Sequence, residues 1–120
     1  KSMGSLNFLS AMQFIDGLIG NSSSGLLEAP TFKIGTINIG NRQKGRLKAS
    51  SIIDCLPEKQ SISKAIKKMY SKSFYKILQK TKNPYGDGGA SKKIVEFLAK
   101  IELPTSLEKF FFDIDYNYEK

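Results

Sequence analysis

Histidine is absent from this 120-residue chain, and cysteine occurs once, as Cys55. Without histidine the commonest general base and metal ligand are missing. A lone cysteine excludes an internal disulfide and a thiolate metal cluster, and it reads as a reducing, cytoplasmic compartment. No cofactor and no metal are expected. Long apolar runs are also lacking: nothing approaches the ~18 consecutive apolar residues of a membrane span. Arginine is scarce, Arg42 and Arg46 standing beside 17 lysines. The net charge of +8 therefore carries little of the residue type that reads base edges, and no helix-turn-helix, zinc or base-stacking motif accompanies it. Lys64, Lys67, Lys68, Lys72, Lys76 and Lys80 fall on the outer faces of helical patterns, so a solvated lysine face is expected rather than a specific nucleic-acid site. Lys1 opens the chain without an initiating Met or a basic leader, and the sequence is expected to start partway through a longer product.

What is present is a short alternation of strands and helices. Ser5 is placed to cap a helix carrying Phe8, Leu9, Met12 and Ile15. Leu18 to Gly20 is a buried-strand candidate, Gly25 to Phe32 a helix ending near Lys33, Thr36 to Ile39 a strand, Gly40 to Ala49 a polar loop, and Ser51 to Asp54 a third strand. From Glu58 the pattern turns helical, with one stripe of Ile62, Ala65, Ile66 and Met69 and another of Phe74, Ile77 and Leu78. Asn83 to Gly89 is strong turn chemistry. A helix bearing Ile94, Phe97, Leu98 and Ile101 follows; Pro104 ends it, before an aromatic, acidic tail from Phe110 to Tyr118. The expected fold class is α/β: half of a doubly wound, Rossmann-like domain, about three parallel strands with flanking helices. Residues 1–103 would form this partial domain and 104–120 a C-terminal tail or helix.

The stretch G-N-S-S-S-G, residues 20–25, sits where the first strand becomes a helix. A helix start offers unpaired N–H groups and a partial positive charge, small residues admit a close ligand, and serine hydroxyls donate further bonds. Ligands of open α/β sheets bind at the carboxyl ends of strands, where this turn falls. It reads equally as one N-capping serine amid loop filler. Glu28, about a turn into the helix, could accept bonds from a ribose diol, or could complement the helix dipole and cap Ser24. Gly40-Asn41-Arg42-Gln43-Lys44-Gly45-Arg46 places three cations after the second strand, at the same sheet edge, where the Arg42 guanidinium could face the same anion.

Three spaced motifs, G-N-S-S-S-G-L-L-E-A-P (20–30), T-I-N-I-G-N-R-Q-K-G-R (36–46) and N-P-Y-G-D-G-G-A (83–90), together resemble the C-terminal part of hydrolysing UDP-N-acetylglucosamine 2-epimerases, in register from about Ser5 to Ile101. The resemblance implies the second domain of a glycosyltransferase-B-like fold with UDP in the cleft, and a reaction that inverts C2 and hydrolyses the anomeric bond to give UDP and N-acetylmannosamine for sialic acid biosynthesis. It implies Ser22 and Ser23 on the pyrophosphate, Glu28 on the uridine ribose and Arg42 at the phosphates, with Asn21, Ser24, Gly25, Lys44 and Arg46 as a supporting loop. No catalytic residue can be carried over, because the acid/base carboxylates and a nucleotide-contacting histidine lie upstream. The implied partners are UDP or a UDP-sugar and the missing N-terminal half of the epimerase; composition adds the expectation of no membrane and no specific nucleic acid, and the uncovered edge of a half-sheet adds that of a second copy in a homo-oligomer. The isolated chain is expected to be inactive. A free-standing UDP-binding module or a basic interaction module from a truncated gene is the alternative. Two positions depart from the family pattern: Gly35 stands where proline is usual, and Asn41 where Asp usually precedes the arginine.

Overall fold

In the computed structural model, residues 3–102, 108 and 111 are described. By its contacts the chain divides after Asp87 into two units. The first holds three parallel strands, β1 (Gly17–Gly20), β2 (Gly35–Ile39) and β3 (Ile52–Cys55), in the order β1-β2-β3. Gly17 pairs with Gly35, and Thr36 with Ile52. With its helices this is a partial Rossmann-like α/β domain. Each parallel step needs a crossover, and these run through α2 (Ser24–Leu27) with a 3-10 turn (Ala29–Phe32), and through the 40–51 loop.

Alternation on β2 assigns its two faces. Ile37 joins Ile53 under α3 (Lys59–Met69) and α4 (Lys72–Lys80), where Ala65, Met69, Phe74 and Leu78 complete the buried cluster. Thr36 points the other way, against α2, donating its hydroxyl to Gly25 O at 3.0 Å. Ser71 caps α4 by accepting Phe74 N–H at 3.2 Å. The six lysines expected on the outer faces of these helices are all exposed. Ile77, expected in the α4 stripe, is 40% exposed instead, because Phe74 and Leu78 already fill the space above the sheet.

Several boundaries differ from expectation. α1 (Ser5–Ala11) is capped by Gly4 with no side-chain capping bond, so Ser5 is its first residue and not its cap. Met12 is buried just past its end. The single helix expected from Gly25 to Phe32 is two pieces. Pro30 has no N–H to continue an α-helical ladder, and the chain tightens into the 3-10 turn at Ala29. Lys33 then ends it in the left-handed region, at φ 55°. β1 begins and β3 ends one residue beyond the expected spans. Gly35 lies beneath the core: a Cβ there would come to 3.0 Å from both Met69 Cγ and Phe74 Cε1.

The second unit contains α5 (Ala90–Leu98). Its Ile94, Val95, Phe97 and Leu98 are all more than half exposed. The break expected at Pro104, and all of the expected tail except Phe111, lie outside the described residues. Among the described residues no helix is long and apolar enough to cross a membrane.

Candidate functional site

The carboxyl ends of the three strands open onto one sheet edge, and the two constellations singled out in the sequence meet there. After β1 the chain turns through Asn21, Ser22 and Ser23 into α2. Ser22 Oγ accepts the Ser24 N–H at 3.3 Å and Ser22 O accepts Gly25 N–H at 3.3 Å; Ser23 O accepts both Leu26 N–H and Leu27 N–H at 2.9 Å. Ser23 is the N-cap of α2 but makes no side-chain capping bond. The ordinary-cap explanation of the serines thus applies only to Ser22, whose hydroxyl takes the first free amide. Ser22 is exposed, and Ser23 and Ser24 are half-buried.

The turn lies flat on the sheet because of Gly25. A Cβ at that position would stand 2.5 Å from Thr36 Cγ2, so any side chain would lift α2 off β2. From the other side the 40–46 loop reaches over. Arg42 Nη1 donates to Asn21 O at 3.2 Å, and Gln43 Nε2 donates to the same oxygen at 2.7 Å. The cation loop is therefore bonded to the serine turn through Arg42 and Gln43. Gln43 is 2% exposed. Nothing in the sequence pattern distinguished it from its polar neighbours, and its role is legible only once β1 and β2 are paired. Lys44 and Arg46 are exposed, with no side-chain hydrogen bond or ion pair to the described residues. Asn41 is exposed as well.

Glu28 occupies neither of the structural roles open to it in the sequence. It is the C-cap of α2 and the N-cap of the following 3-10 turn, and its side chain makes no capping bond at that turn and none to Ser24. Its Oε2 is buried and has no hydrogen-bond partner. A buried carboxylate oxygen without a donor is costly unless a ligand supplies one. The segment carrying it is braced by the N-P-Y-G-D-G-G turn, to which sequence reasoning attached no role. Asn83 Nδ2 donates to Leu27 O and to Thr31 Oγ1, both at 2.8 Å, while Tyr85 OH donates to Leu47 O at 3.0 Å.

At the end of β3, Asp54 accepts from Asn38 Nδ2 at 2.6 Å and pairs with Lys48 at 2.8 Å. Burial, the largest single influence, pushes the Asp54 carboxyl up, but the Lys48 and Asn38 hydrogen bonds and the Lys48 charge together hold it below its ordinary value. Burial, and then the Asp54 charge, push the neighbouring Cys55 thiol up, making it a poor nucleophile at neutral pH. A cleft of about 490 Å³ opens here beside Gly40, Asn41 and Leu56, and a hollow of about 90 Å³ lies against Ser22, Ser24 and Thr36. A larger hollow of about 630 Å³ sits at the opposite edge, between Ile34, Met69 and Tyr75. Its lysines, Lys33, Lys72 and Lys76, are all exposed and no buried polar group converges on it. Among the described residues no group of three or more acidic, cysteine or histidine side chains could hold a metal.

A parallel sheet with a small-residue turn, a bonded arginine loop and an unpartnered carboxylate at its carboxyl edge defines the class: a Rossmann-like domain with its polar groups gathered where such sheets take ligands. The family follows from comparison. A family model described as UDP-N-acetylglucosamine 2-epimerase matches residues 1–99, and the chain belongs to that family. It is 45% identical over 84 residues to the polysialic acid biosynthesis protein P7 of Escherichia coli, covering 70% of this chain and 22% of that protein. To a GDP/UDP-N,N'-diacetylbacillosamine 2-epimerase (hydrolyzing) of Campylobacter jejuni it is 44% identical over 114 residues, covering 94% and 29%. To a UDP-N,N'-diacetylbacillosamine 2-epimerase (hydrolyzing) of Legionella pneumophila it is 32% identical over 100 residues, covering 83% and 26%. The chain thus spans less than a third of the length of these relatives.

Proposed function

We propose that this chain is the nucleotide-binding, C-terminal part of a hydrolysing UDP-N-acetylglucosamine 2-epimerase, holding UDP at the carboxyl edge of its sheet. The observation that carries the reading is the convergence of Arg42 and Gln43 on Asn21 O, which puts a guanidinium beside the serine turn. In this reading the amides and hydroxyls of Ser22 and Ser23 hold the pyrophosphate, with Asn21, Ser24 and Gly25 shaping the turn. Arg42 adds charge, Lys44 and Arg46 supply a diffuse positive field, and Glu28 Oε2 takes its missing donor from a ribose hydroxyl. Elimination of UDP develops negative charge on the departing pyrophosphate, and fixed donors aimed there lower the barrier without reorganising. The sugar-contacting and acid/base groups belong to the other half of the enzyme, so the isolated chain is inactive. Residues 1–103 form the binding part and 104–120 the tail, the protein is cytoplasmic, and the product is N-acetylmannosamine. The names of the Campylobacter and Legionella relatives favour a diacetamido sugar as the competing substrate.

Half a site binds weakly, so UDP is expected at millimolar affinity, about −4 kcal/mol. Calorimetric titration checks this. Arg42→Ala should abolish binding, whereas Lys68→Ala, on the exposed face of α3, should leave it intact. Equal losses in both variants would mean that net charge alone attracts the ligand, as in the reading of the chain as a basic interaction module.

β1 is an edge strand, with Ile19 54% exposed, and Leu6 and Phe14 near it in sequence are 78% and 87% exposed. An apolar edge with unpaired backbone groups invites strand addition, and a homo-oligomer joined through β1 or α1 accompanies the proposal. A folded monomer in sedimentation at micromolar concentration would remove it.

A further inference from the structure

Two donors share one acceptor at the turn, and they are not equivalent. Gln43 is 2% exposed and its bond to Asn21 O is the shorter, at 2.7 Å; Arg42 is exposed and its bond to the same oxygen measures 3.2 Å. A carbonyl has lone pairs for both. The Gln43 amide must present its NH₂ side to Asn21 O, since the reverse orientation would set two oxygens face to face. That leaves Gln43 Oε1 buried and without a partner. A side chain that tolerates an unpartnered acceptor in order to hold one carbonyl is a poor purely structural element.

The position of that carbonyl explains the arrangement. Asn21 O is the last acceptor before the backbone bonds Ser22 O to Gly25 N–H and Ser23 O to Leu26 N–H set the course of α2. If Arg42 alone held it, turning the guanidinium onto an anion would release the turn just as the ligand arrived. With Gln43 in place the carbonyl stays occupied when Arg42 leaves.

We infer that Gln43 is a positioning residue that latches the serine turn through Asn21 O, and that Arg42 is a releasable donor, parked on the same oxygen until a nucleoside diphosphate takes it. The assignment of the ligand rests on the nucleotide reading above. Arg42 changes partner; Gln43 does not.

The 120-residue chain is titrated with UDP at pH 8 and pH 5.5 as wild type, Arg42→Ala, Gln43→Met and Gln43→Glu, with circular dichroism checking the fold. Amide hydrogen exchange is followed at Gly25 to Glu28 without ligand. Both Gln43 variants are expected to bind UDP at least tenfold more weakly at pH 8 and to exchange these amides faster. Gln43→Glu, but not Gln43→Met, should recover relative to wild type at pH 5.5, because a buried carboxyl takes up its proton early and then donates to Asn21 O. Arg42→Ala should lose UDP while keeping wild-type exchange. Gln43 variants that bind as wild type does, or that weaken alike at both pH values, overturn the latch; so does Arg42→Ala exchanging as fast as Gln43→Met. If wild type itself fails to bind UDP, the nucleotide reading falls, and exchange alone decides the latch: faster in the Gln43 variants upholds it, unchanged overturns it.

Discussion

Replacing Gly25 by alanine tests whether the serine turn is held by contact with β2. Gly25 lies in α2 at a negative φ, where alanine is intrinsically favoured over glycine by about 1 kcal/mol. The added Cβ, however, would meet Thr36 Cγ2 at 2.5 Å and Thr36 Oγ1 at 3.3 Å. Thr36 cannot swing aside: it is 3% exposed, β-branched and tied to Gly25 O through its hydroxyl. Overpacking of this kind costs about 1–3 kcal/mol. With a slope of about 1–3 kcal/mol per molar urea, Gly25→Ala should lower the unfolding midpoint by very roughly 1 M. Thr36→Ser removes the offending methyl and keeps the hydroxyl, and should by itself cost about 0.5–1.5 kcal/mol, as deletion of one buried methyl does. In that background Gly25→Ala should be nearly neutral or slightly stabilising, a coupling of more than about 0.5 kcal/mol. Urea unfolding of the four variants, followed by circular dichroism, completes the cycle. A Gly25→Ala protein as stable as wild type, or strictly additive costs in the double variant, would refute the close approach of α2 to β2.

Glu28→Gln should weaken UDP several-fold but leave pyrophosphate binding unchanged, since the carboxylate is assigned to the ribose; titration with the two ligands separates the outcomes. Asp54 makes stability pH-dependent in a known direction. Its folded value is depressed, so its contribution is present above the unfolded value of about 4 and is lost as pH falls through the folded value. The Asp54 side chain is 54% exposed, so Asp54→Asn should cost no more than about 1 kcal/mol at pH 7, and the gap to wild type should narrow in parallel urea titrations as pH falls from the unfolded value through the folded one. A gap that widens on acidification would contradict the Lys48–Asp54 pairing. Purified chain incubated with UDP-N-acetylglucosamine is expected to release no N-acetylmannosamine, since the proposal assigns the acid/base groups to the other half of the enzyme; any enzymatic release would overturn that assignment.

Much of this domain could be read along the chain, because local pattern and global fold agree. The β-branched run Thr36 to Ile39 became the central strand, the lysines of α3 and α4 became a solvated face, and Gly20 to Gly25 marked a strand-to-helix turn, all from periodicity and turn chemistry. Pro30 also marks the break at Ala29, since a residue without an N–H cannot continue the α-helical ladder expected through Phe32. What the sequence could not determine depended on residues far apart in it. Pairing β1 with β2 brings Asn21 within reach of Arg42 and Gln43, 21 and 22 residues away. Packing α2 on β2 makes Gly25 obligatory through Thr36, and closure of the Asn83 turn on Leu27 and Thr31 braces the segment of Glu28 across more than 50 residues. A residue's type announces which bonds it can make; only tertiary structure decides which groups stand close enough to make them, and which, like Glu28 Oε2, are left waiting.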